Sequence, residues 1–178
     1  MPPQRNIASQ AGFSLIEVLI SVLVLSIGLL GLGGLQMASL KGTHNAHFRT
    51  VASLAASELA ERMRSNPLAV AANQYAVSMN AESCESMPDK QCVSGVSCSY
   101  EESAIYDLYR VNCGIAAGEV QTGGIQYDLP TAFLSVDCGA VTCETKVEHN
   151  ILVRWNETDD ADSDEEVQVR SYILSFTP

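Results

Sequence analysis

Between Phe13 and Leu40 the chain runs for 28 residues with a single charge, Glu17. A membrane-spanning helix needs about 20 apolar residues, and the core helix of a globular domain rarely stays apolar for so long. A secretory signal has an apolar region of about 7–15 residues followed by a small-residue cleavage site. Here the run is longer, and Gly28, Gly31, Gly33 and Gly34 come late in it without an A-x-A pattern. The stretch therefore reads as a retained membrane helix. A carboxylate near the end of such a helix costs roughly 2–3 kcal/mol, which makes Glu17 a functional candidate. Snorkelling or protonation would relieve part of that cost, and a partner cation would relieve more. The run holds no cation. An α-amine at Phe13 would lie four residues away, about one helical turn, and it exists only if the chain is cut after Gly12.

The rest of the chain is different in kind. Its 178 residues are enough for one domain with an extension, not for two full cores. The formal net charge is -11. Residues 13–66 are nearly neutral, whereas residues 67–178 carry five basic and eighteen acidic residues. So acidic a surface repels a phosphate backbone, and nucleic acid is excluded as its partner. All six cysteines, Cys84, Cys92, Cys98, Cys113, Cys138 and Cys143, follow the apolar run. None of their spacings is C-x-x-C, so zinc and thioredoxin-like chemistry give way to a disulfide framework. That framework implies an oxidising compartment, the periplasm or the exterior. Fifteen pairings are open, each bridge contributing a few kcal/mol.

A helical stripe continues past the membrane segment. Phe48, Val51, Ala52, Ala55, Leu59 and Met63 recur at three- and four-residue steps. Glu58–Arg62 and Glu61–Arg64 add supporting charge pairs, and Pro67 is expected to end the helix. Residues 67–99 read as an irregular connection pinned by cysteines. Ser99 and Glu102 form a capping box ahead of Ile105, Leu108 and Tyr109, which predicts a short second helix. Gly114, Gly118, Gly123 and Gly124 break the next stretch. Ala132–Asp137 reads as a short strand. Val147, Ile151, Val153 and Trp155 alternate on one face with His149 in phase. A last strand has Val167, Val169 and Ile173 on one face and Tyr172, Leu174 and Phe176 on the other. These two strands predict a hairpin with an acidic loop, Asn156–Glu166, at its exposed tip. The fold class is α+β: one long N-terminal helix, half membrane and half amphipathic, packed on a small antiparallel sheet with disulfides.

Little in the sequence points to catalysis. The tip loop holds seven acids, and Asp160, Asp162 and Asp164 have the start of a calcium-loop spacing. The glycine and the twelfth-position glutamate of an EF-hand are replaced by Glu165 and Ser171, so a solvated charge run is the main reading and a weak calcium site the lesser one. His44 and His47 lie three apart on the helix, without nearby acids or cysteines, and read as surface residues. No nucleophile elbow, phosphate loop or H-E-x-x-H is present. The expectation is a protein that is no enzyme and takes no cofactor.

The stretch Gly12-Phe13-Ser14-Leu15-Ile16-Glu17-Val18 closely resembles the class III signal of type IV prepilins. The resemblance implies a peptidase cut between Gly12 and Phe13, N-methylation of Phe13, and pairing of Glu17 with the amine of a neighbouring subunit during assembly. The runs Leu23–Leu32, Glu61-Arg62-Met63-Arg64-Ser65-Asn66-Pro67, Tyr106-Asp107-Leu108-Tyr109 and Val153-Arg154-Trp155 are similar to the minor-pilin branch called PilV. Major pilins usually close with a C-terminal disulfide, and Cys143 lies 35 residues from the end. The organisation so implied is a leader (1–12), a transmembrane and assembly helix (13–40), its amphipathic continuation (41–66) and an α+β head (67–178). The head would stand in the periplasm, with one pass through the inner membrane, and later on the extracellular pilus. Implied partners are the prepilin peptidase, other minor pilins, the major pilin and a PilY-type tip adhesin. The alternatives are a minor pseudopilin of type II secretion and, from another class, a membrane-anchored calcium- or glycan-binding module. The glycines at 28–34 admit two readings, close helix packing or a segment able to stretch when subunits pack.

Overall fold

The computed structural model describes residues 12, 14–117, 120–139, 143, 146–158 and 167–178. It divides into two compact units, residues 1–44 and 45–178. Helix α1 (Leu15–Ser65) contributes to both.

In the first unit the helix is apolar and exposed throughout, long and apolar enough to cross a membrane. Three of its hydroxyls, those of Ser21, Ser26 and Thr43, bond back to the helix. Ser21 Oγ donates to the Glu17 carbonyl and Ser26 Oγ to that of Val22, each at 2.7 Å. Such back-bonding removes free polar groups from an apolar surface. A Cβ built on Gly28, Gly31, Gly33 or Gly34 would meet nothing within 4 Å. Packing within this chain therefore does not require glycine there.

In the second unit the same helix becomes one-sided. Ala52, Ala56, Leu59, Ala60 and Met63 are buried, and Phe48, Val51 and Ala55 are partly so. They form one apolar cluster with Leu134, Val136, Ile151, Val153 and Trp155 of the sheet. Burying a large apolar side chain contributes about 1.5–3 kcal/mol, so this stripe is the main tie between helix and sheet. The expected ion pairs form at the end of α1: Arg62 Nη2 lies 2.6 Å from Glu58 Oε1, and Arg64 pairs with Glu61.

After α1 the structure is more regular than the residue pattern suggests. Residues 67–99 hold helix α2 (Pro67–Ala71), strand β1 (Val77–Met79) and a 3-10 turn (Ala81–Cys84). Pro67 both ends α1 and opens α2, because a proline at the first helical position sacrifices no hydrogen bond. The capped helix forms as expected: α3 (Tyr100–Cys113) has Ser99 and Glu102 in reciprocal hydrogen bonds. A small ribbon comes next, β2 (Ile115–Ala117) with β3 (Val120–Thr122), then helix α4 (Ile125–Asp128).

The main sheet is antiparallel, in the order β1-β4-β5-β6. Strands β4 (Phe133–Cys138), β5 (His149–Thr158) and β6 (Val167–Phe176) give it its breadth. In β6 the faces divide as the alternation predicts. Tyr172, Leu174 and Phe176 turn to the core, while Val169 and Ile173 are exposed. One expectation is corrected. Asn156 and Glu157 belong to β5, not to an exposed tip loop, and the Glu157 carboxylate is buried. It continues the inward phase of Ile151, Val153 and Trp155 by one more step.

Candidate assembly site

Glu17 stands in the first turn of α1 and is exposed, among apolar side chains that are also exposed. Its neighbours along the helix are Val18, Ser21, Val22 and Leu25, which line a shallow groove with it. Gly12 is exposed. Phe13, the other half of the junction, lies outside the described residues. A carboxylate presented on a bare apolar helix is a directional feature on a surface otherwise suited to lipid or to another helix.

The six cysteines form three disulfides, Cys84–Cys113, Cys92–Cys98 and Cys138–Cys143, with Cα atoms 5.5, 5.9 and 5.6 Å apart. The first joins the turn after β1 to the end of α3. Asn112, fully buried, sits beside it. Its Nδ2 donates to the Asn80 carbonyl at 3.1 Å, and its Oδ1 accepts from Gln126 Nε2 at 2.9 Å.

Two of the motifs singled out in the sequence meet in space. Arg62 Nη1 lies 2.7 Å from Asp107 Oδ1, so the end of α1 is ionically tied to α3. Tyr75 Oη donates to the other oxygen of Asp107 at 2.9 Å. Burial, and then the charge of Asp107, push the Tyr75 phenol well above its ordinary range. Asn66 completes the junction, its Nδ2 donating to the Tyr100 carbonyl at 2.8 Å. A third motif is anchored separately: Trp155 is buried, and its Nε1 donates to Glu157 Oε1 at 2.9 Å. Arg170 Nε donates to Glu157 Oε2 at 3.3 Å.

Sequence reasoning missed Tyr75, Asn112, Glu157 and Arg170. Of these only Glu157 had left a signal, its place in the inward alternation of β5. Asp160, Asp162 and Asp164 lie outside the described residues. His44 and His47 are exposed on α1, and among the described residues no cluster of three or more His, Cys, Asp or Glu side chains is placed to hold a metal.

Together these features describe a chain with one helix long and apolar enough to cross a membrane and with a disulfide-stapled 45–178 unit, and family comparison is consistent with them. The prokaryotic N-terminal methylation motif matches residues 7–33. The model described as Type IV pilin Tt1218 matches residues 34–109, which takes in the end of the apolar run, the amphipathic stretch and α3 up to Tyr109. Over residues 7–109 the chain is thus similar to the type IV pilins. Its signal implies processing by a prepilin peptidase and assembly with other pilins, and the signal and apolar helix fit a membrane-anchored pilin that is built into a pilus. No curated protein and no solved structure matches the chain.

Proposed function

We propose that this pilin is a minor subunit of the PilV branch that helps to initiate pilus assembly and stays at or near the tip, where it supports a PilY-type adhesin. Residues 1–12 are the leader, cut between Gly12 and Phe13, and Phe13 is then methylated. Residues 13–40 anchor the chain in the inner membrane, residues 41–66 continue the helix, and residues 67–178 form the periplasmic head. Its role is structural, without catalysis.

The observation that carries the reading is Glu17, an exposed carboxylate in the first turn of α1, where residues 15–40 are exposed and otherwise uncharged. An unpaired carboxylate in lipid is unfavourable. Pairing it with the new amine of a neighbouring chain would couple relief of that cost to docking. The three disulfides favour a head that matures in an oxidising compartment.

The test compares the original protein with Glu17→Gln, which keeps the shape and removes the charge. Both should be inserted and cleaved, with N-terminal sequences beginning at Phe13. Glu17→Gln should co-purify poorly with other pilins from detergent-solubilised membranes and should lower the count of surface pili. Equal co-purification would show that charge pairing is not the mechanism.

A further inference from the structure

Within the 45–178 unit a groove of about 190 Å³ opens between α1, α3 and α4. Val51, Leu54, Ala55 and Ile125 give it apolar walls, and Arg110 of α3 lies in it. The Nε of Arg110 is buried and has no hydrogen-bond partner, alone in this among the side-chain atoms of the described residues. The guanidinium lies 6.0 Å from the Tyr106 ring centroid and makes no salt bridge with a described carboxylate. Glu58 also lines the groove, but Arg62 already holds it through two hydrogen bonds, at 3.0 and 2.6 Å. Leu54, on the same wall, is 65% exposed.

A charged donor withdrawn from water with no acceptor is unfavourable, and buried polar atoms are otherwise nearly always paired. We infer that this groove is a socket for one carboxylate from a neighbouring pilin of a different kind, an Asp or Glu flanked by an apolar residue that covers Leu54. The inference rests on the chain being a pilin subunit. A carboxylate supplies two acceptors in the plane that a guanidinium presents. Asp128 on the rim repels further acids, so the socket suits a single carboxylate and not an acidic tract. A second copy of this chain is disfavoured because each head is strongly acidic.

The experiment uses the full chain in piliated cells, with the photocrosslinker p-benzoylphenylalanine in place of Leu54 and the adducts mapped by mass spectrometry. The expected adduct is to another pilin, at a segment that contains an Asp or Glu. Arg110→Glu should lower its yield about tenfold or more. Arg110→Lys should retain most of it, and changing the mapped acid to Arg should restore it in the Arg110→Glu background. If Arg110→Glu fails to form its three disulfides, Arg110→Gln takes its place with the same expectation. Undiminished crosslinking in Arg110→Glu, a mapped contact without an acid, or adducts only to lipid or to a second copy would each overturn the socket. If Glu17→Gln loses incorporation while Arg110→Glu keeps it, the socket falls and the pilin-subunit reading stands.

Discussion

At Tyr75 a phenol is buried against a carboxylate that Arg62 also holds. Its folded-state pKa is raised above the unfolded value of about 10. Below pH 10 both states keep the proton and the pH has no effect through this group. Above it the unfolded chain loses the proton first, so stability falls as pH rises, by up to about 1.4 kcal/mol per pH unit. Tyr75→Phe should cost about 1 kcal/mol at neutral pH through the lost hydrogen bond. It should also flatten the alkaline decline, as chemical denaturation at pH 8 to 11 would reveal. An unchanged alkaline slope would mean that another group titrates there. None of this was legible in the sequence. Tyr75 lies in a stretch without periodicity, and a tie across 32 residues leaves no local mark. Glu17 was legible because one acid in an apolar run is conspicuous on its own, and the junction before it is a motif of contiguous residues.

The elements that could be read in advance are those whose causes are local. The start of α3 follows from Ser99 and Glu102 three residues apart, and β5 and β6 follow from alternation over ten residues each. Strand β1 has three residues and owes its existence to β4, against which Met79 lies opposite Leu134. The cysteine pairing was likewise decided by where the elements meet. Cys84–Cys113 spans 29 residues and Cys92–Cys98 only six. In the chain-entropy account, removing the first should cost about 3–4 kcal/mol and the second about 2. Thermal unfolding of the paired Cys→Ser variants would check the order; the reverse order would place the main effect in native contacts. Between α3 and α4 the backbone crosses itself. Gly114 and Gly124 both have positive φ, and a Cβ on Gly124 would lie 2.3 Å from the Gly114 nitrogen. Gly124→Ala should therefore destabilise the head by about 2 kcal/mol or more, visible as a lower melting temperature. No shift would mean that the loop relaxes freely.

At the scale of the molecule, the 45–178 unit contains the whole sheet, all three disulfides and the buried stripe of α1. A fragment of residues 45–178 exported to an oxidising compartment should be soluble and should unfold in one cooperative transition. Aggregation or a non-cooperative melt would show that the apolar segment also supports the core. The order in which that sheet can be built follows from its wiring. Strand β1 must find β4 across more than fifty residues, and distant pairings of this kind form slowly. Once Cys84 has joined Cys113, the shortest covalent route from β1 to β4 is cut roughly in half, which eases closure by about 0.6 kcal/mol. That corresponds to roughly threefold in rate if closure limits the step. On the proposed topology, whatever oxidises these cysteines would then act as a pacemaker for the head, closing one bond to hasten the sheet while the N-terminal segment holds the unfinished chain at the membrane.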